Sequence, residues 1–148
     1  MPRVDLSQIP AVESTSYPPP LDAPLRGRLC RRLGSLLGLR DFGLTQVELL
    51  PGAISAHRHW HEGEDEVVVV TGGHPTLVDD HGDTPLSPGD LLVFPAGDPN
   101  AHHLVNRSDA PATFVAIGKP VGSDCHYADV DLHLGFPHPY THKDGTPY

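Results

Sequence analysis

Cysteine is scarce in this chain: Cys30 and Cys125 are all that 148 residues contain. Two thiols so far apart make neither a disulfide framework nor a Cys-x-x-Cys zinc site, so both are expected to be reduced. Basic residues are also few, 10 Lys and Arg against 19 Asp and Glu, for a formal net charge of −9. A surface of that sign excludes nonspecific attachment to nucleic acid or anionic membrane, which need positive charge. No apolar run approaches the roughly 18 residues that cross a bilayer, and no charged start leads into an apolar core. The expected location is cytoplasmic, with small molecules or other proteins as partners. The sequon Asn106-Arg107-Ser108 carries no meaning without secretion. Absent too are a phosphate loop, a Ser-His-Asp order, and the Cys pair with His-x-Glu of zinc deaminases.

Long helix-compatible windows are missing as well, because 17 Pro and 15 Gly interrupt the chain. Short strands and tight turns follow from that composition, and the length with 38% hydrophobic residues suits one all-β domain. Residues 1–25, with Pro10, Pro18-Pro19-Pro20 and Pro24, read as an extended arm, on its own domain or on a neighbouring subunit. Residues 26–123 hold the domain itself. Residues 124–148, with Pro137, Pro139 and Pro147, read as an extended tail whose Tyr127, Phe136 and Tyr140 need burial, across the domain or in a dimer seam.

Within the domain, 26–33 is expected as an edge strand, where Arg28, Arg31 and Arg32 read as a charged edge in preference to a phosphate clamp. A helical turn ends at Gly38. Strands follow at 43–50, 76–78, 91–94, 101–105 and 112–117, with a hairpin turn at Gly82. Val67 to Val70 reads as a buried strand. Together with the histidine strand, these make about eight, the pattern of a sandwich or small barrel.

What the chain does have is histidine at alternate positions, His57, His59 and His61, followed at once by Glu62, Glu64, Asp65 and Glu66. A strand sets alternate side chains on one face, about 6.5 to 7 Å apart, so one metal ion can take two neighbouring imidazoles. Two strands joined by a turn at Gly63 then present His, His and Glu to one cavity. Glu64 and Asp65 read as solvated turn charges and His57 as a solvated residue near the mouth. Trp60 faces the opposite side, where it suits a subunit contact. His126, His133, His138 and His142 show no ligand spacing and read as surface residues.

These residues resemble the cupins. The first cupin motif runs Gly, His-x-His, Glu, Gly, and Gly52, His59, His61, Glu66 and Gly73 match it, with one residue more than usual after Gly52. A second register, His57, His59 and Glu64, leaves Thr71 where the closing glycine belongs, so the first is preferred. Gly89, Pro95 and Gly97 match the second motif, but Asn100 stands at its histidine position. His102 lies two residues on, with Asn106 completing the motif. Alternation sends His102 and His103 to opposite faces, and His102 is taken as the inward one. The chain is also similar to small single-domain cupins of the conserved-barrel type, in His59-Trp60-His61-x-x-Glu64-Asp65-Glu66 and in the ending His142 to Tyr148.

The resemblance implies a jelly-roll β-barrel with His59, His61, Glu66 and His102 as ligands of one divalent metal, and a homodimer. Zn, Fe, Mn, Ni and Co all suit imidazole with carboxylate. An open coordination position would let the ion act as a Lewis acid on a small polar metabolite, a sugar or an oxo acid. Isomerase, lyase, hydrolase and dioxygenase chemistry all fit; the alternative is a non-catalytic metal-dependent binding or sensing module, which needs no acid or base beside the ion.

Overall fold

The computed structural model describes residues 3–119 and 122–148. Strands in chain order are β1 (Val12–Glu13), β2 (Arg28–Arg32), β3 (Gly43–Leu49), β4 (His59–His61), β5 (Glu66–Gly72), β6 (Thr76–Asp79), β7 (Gly82–Pro85), β8 (Leu91–Phe94), β9 (His103–Val105), β10 (Ala112–Gly118), β11 (Cys125–Tyr127), β12 (His133–Leu134) and β13 (Tyr140–Thr141). A single helical turn, α1 (Leu33–Leu36), follows β2. One sheet runs β1-β2-β3-β10-β5-β8; facing it are β7-β6-β9 and β13-β12-β11-β4, joined by the bridges Ile54 to Val105 and His59 to His102. The result is the expected all-β jelly roll. Among the described residues no helix is long and apolar enough to cross a membrane.

The core follows the period of two. On β3, Val47 and Leu49 turn inward; on β5, Val68 and Val70 do so, and they meet Leu104 and Phe114. Val67 and Val69 are only half-buried, so the expected continuous buried run is in fact an alternating one, with Glu66 on the inward face of Val68 and Val70. Gly73 closes β5 at φ +68°, where an added Cβ would lie 2.5 Å from the Pro111 carbonyl oxygen. Only glycine fits that turn.

Three expectations change in the structure. The segment around Gly63 joins strands of different sheets, so it is a crossing and no hairpin; that crossing sets the histidines of β4 facing Glu66 of β5. The strand at 26–33 is not an edge over Leu29 and Cys30, because β1 from the arm pairs there. Residues 124–148 are partly sheet: Cys125, His126 and Tyr127 pair with His61, Trp60 and His59.

Cys125, Tyr127 and Leu132 bury a second small core against Tyr17, Leu21 and Tyr140, and Arg58 clasps Asp129 through two bonds of 2.7 Å. That area and the bidentate pair hold the C-terminal strands to the barrel. Phe136, for which burial is expected, is exposed.

Candidate metal centre

Alternation on β4 puts His59 and His61 on the inner face, their ring centroids 4.9 Å apart. Trp60 points the other way and stacks on His126 at 4.3 Å, within the chain's own outer surface. His126 also contacts Glu62 Oε1 through Nε2 at 2.7 Å. Glu66 opens β5, and His102 stands just before β9, its ring lying flat on Phe94 at 3.4 Å. His102 Nε2 is 3.2 Å from Glu66 Oε2.

All three rings point Nδ1 toward oxygen. His59 Nδ1 lies 2.8 Å from the His57 carbonyl oxygen, and His102 Nδ1 lies 3.2 Å from that of Asn100. His61 Nδ1 is buried without a hydrogen bond, its facing acceptor Glu64 Oε2 being 3.6 Å away. The carbonyl acceptor fixes the His59 proton on Nδ1 and leaves its Nε2 lone pair free, the form in which imidazole binds a metal; His102 Nε2, which faces Glu66 Oε2, gives up its proton when it takes an ion.

Burial drives His59 down to about 4, against the raising influence of Glu66, and burial lowers His61 as well. Burial alone would raise the Glu66 carboxyl; its bond to His102 and the nearby histidines outweigh that and hold it below its ordinary value. Neutral imidazoles and an ionised carboxylate are the states that metal ligands need. Glu64 departs from the solvated role expected of it: its side chain is 15% exposed, and burial, then the Glu66 charge, pushes its carboxyl up to about 7. Asp65 is exposed and accepts the Ala96 backbone N–H at 2.8 Å, an ordinary turn contact.

Among the described residues, two groups bring ligand atoms within 4.8 Å of one another: His59, Glu66 and His102, and His59, His61 and Cys125. All four expected ligands thus line one region, with His59 common to both groups, but no single group holds them all. Three nitrogens and a carboxylate of this kind suit a divalent transition ion. Cys125 was not legible as a neighbour, because its place beside His61 depends on β11 pairing with β4. His57 is not solvated: it is 9% exposed, its Nε2 lies 2.7 Å from the Leu21 carbonyl oxygen, and Tyr17 packs edge-on against it. His103 sends Nδ1 to the Ala56 carbonyl oxygen at 2.8 Å and joins neither group.

The region opens onto a cavity of about 290 Å³, lined by His59, Glu66 and His102 and, beyond them, by Tyr17, Arg28 and Tyr140. Arg28 enters this space through the register of β2 on β3, which no local sequence pattern records.

The family model described as a cupin domain matches residues 45–118. A solved structure described as a sugar phosphate isomerase from a cupin superfamily, from Silicibacter pomeroyi DSS-3, shares 44% identity over 99% of this chain and 96% of its own, with a TM-score of 0.92. A second, provisionally named as a sugar phosphate isomerase, from Acidithiobacillus ferrooxidans, is 27% identical over 77% of this chain and 74% of its own, TM-score 0.69. The polyketide cyclase of Streptomyces resistomycificus, 22% identical over 88% of this chain and 87% of its own, shares the fold at a TM-score of 0.72. Among curated proteins there is no match.

Proposed function

The chain belongs to the cupin family, and from that premise we propose that His59, His61, Glu66 and His102 hold one divalent transition-metal ion beside a cavity that takes a small polar metabolite of sugar or oxo-acid type. The observation that carries this reading is the common orientation of the rings, with Nδ1 of His59 and His102 against carbonyl oxygens and Nδ1 of His61 toward Glu64. Zn, Fe, Mn, Ni and Co remain equal on ligand type. Such an ion, when bound, supplies Lewis acidity toward a carbonyl or hydroxyl oxygen.

Of the reaction classes open to this centre, isomerisation has the support of the name carried by the 44% identical Silicibacter protein. A catalyst also needs an acid or base that is not itself a ligand. Glu64, a largely shielded carboxyl outside the ligand set and 3.6 Å from His61, is the candidate for that role if the protein is an enzyme; a non-catalytic sensing or carrier cupin needs none. A homodimeric, cytoplasmic protein completes the proposal.

The test is metal analysis of protein purified without an affinity tag, followed by a screen of metabolites on the metal-loaded form. One equivalent of metal is expected, lost in His59→Ala, with conversion of a sugar or oxo acid. Full metal occupancy in His59→Ala rejects the ligand set; saturable binding of a metabolite without any product rejects the enzyme in favour of the sensor.

A further inference from the structure

The inward face of β2 carries charge that the proposed metal centre does not use. β2 pairs with β3 so that Arg28 lies opposite Leu49, Cys30 opposite Val47 and Arg32 opposite Thr45. Side chains alternate along a strand, so Arg28 and Arg32 share the face of buried Cys30, and both line the cavity that holds His59, Glu66 and His102. A guanidinium in such a place is costly unless its N–H groups are partnered. The two terminal nitrogens of Arg28 donate to the Ser55 and Ser14 carbonyl oxygens, each at 2.8 Å. Its Nε is buried with no partner, and among the described residues no carboxylate forms an ion pair with Arg28. In a chain of net charge −9, a cation facing a cavity without an ion-pair partner needs an explanation.

Resting on the reading of this cavity as the substrate chamber, we propose that Arg28 is the recognition residue for an anionic substituent of the metabolite, a phosphate or a carboxylate. Two carbonyls pin the guanidinium, leaving a further N–H on each terminal nitrogen for oxygens of the anion, in charge-assisted bonds. Thr15 and Ser16 of the arm bring hydroxyls to the same wall. The arm is held there by its own contacts: Ser14 under Arg28, the β1 to β2 pairing, and Ser16 Oγ 3.1 Å from the Tyr140 hydroxyl. An anion fixed at Arg28 and a polar head at the metal end orient one substrate along the cavity.

The test uses the full chain stripped of metal with EDTA, so that anion binding does not pass through the ion. Inorganic phosphate and acetate are titrated calorimetrically into wild type, Arg28→Gln and Arg26→Gln, the last removing an exposed charge as a control. Wild type and Arg26→Gln are expected to bind at least one anion alike, and Arg28→Gln about tenfold or more weakly, while metal stoichiometry after reloading stays equal in all three. The tighter anion names the substituent. Equal affinity in Arg28→Gln, or no binding of either anion by wild type, overturns the proposal. Should Arg28→Gln not fold, the Arg28 Nε–H resonance of wild type serves instead: it shifts on anion addition if the proposal holds, and an unmoved signal at saturation refutes it. Anion binding at Arg28 without metal uptake refutes only the metal centre; metal uptake without anion binding refutes only the subsite.

Discussion

His59 and His102 exchange both backbone hydrogen bonds, His59 N–H to the His102 carbonyl oxygen at 3.2 Å and His102 N–H to the His59 carbonyl oxygen at 3.0 Å. This one antiparallel pair ties the first histidine motif to the second, so the rings are positioned by the backbone. Because neighbours on an extended segment face opposite ways, His102 meets Glu66 and His103 meets the Ala56 carbonyl oxygen. His102→Ala is therefore expected to strip metal from the purified protein, and His103→Ala to keep nearly full occupancy by elemental analysis. An empty site in His103→Ala means that the second motif is read one residue out of register.

Asn106, the last residue of that motif, braces a loop. It is 0% exposed; its amide donates to the Leu49 and Ala110 carbonyl oxygens at 2.8 Å each, and its Oδ1 accepts from Ser108. Asn106→Ala removes the amide donor from the buried Leu49 carbonyl and one of two donors from the Ala110 carbonyl, which keeps Ser108 Oγ, a cost of about 2 kcal/mol, or roughly 4–8 °C in thermal midpoint for a domain of this size. A change below about 2 °C in a calorimetric scan contradicts the bracing role.

Cys125 separates the two groups of candidate ligands. With His59, His61, Glu66 and His102 as ligands, cobalt-substituted protein has no thiolate-to-cobalt charge-transfer absorption, and Cys125→Ser retains metal stoichiometry. Burial raises the Cys125 thiol to about 12, which keeps it protonated near neutrality unless metal binds it. A charge-transfer band that disappears in Cys125→Ser makes His59, His61 and Cys125 the true site.

Much of this arrangement was legible because spacing alone encodes it. His59-x-His61, Glu66 and Gly73 keep their separations since two sheets and one tight glycine turn demand them, and the eight expected strands all exist. Five further strands escaped. β1 and β7 are short, and one lies in the proline-rich arm while the other is a polar hairpin leg. β11, β12 and β13 have two or three residues each and owe their strand form to pairing on β4 and on one another, which no local pattern records.

Charge usually seeks water, so the sequence places Arg28 outward, and only the register with β3 reveals that it shares a face with Cys30. Glu64 failed in the same way. Its environment is made by a distant strand end: Gly118 leaves room for it, since an added Cβ there would lie 2.5 Å from Glu64 Oε1.

That environment gives Glu64 a pH signature. Its carboxyl stands at about 7 in the folded chain against an ordinary 4.5, burial being the main cause. Between those values the native state holds a proton that the unfolded chain has released, so stability falls as pH rises through the window and levels off above it. His59, lowered to about 4 from 6.5, works in the other direction, with stability lost as pH falls from 6.5 toward 4. Glu64→Gln removes the first effect and keeps the second, so the difference between variant and wild type isolates Glu64. In metal-free protein the thermal midpoint of Glu64→Gln is expected to gain on wild type by several degrees, more than about 2 °C, between pH 4.5 and 7. Parallel curves across that range place Glu64 in solvent and remove it as the acid or base beside the ion.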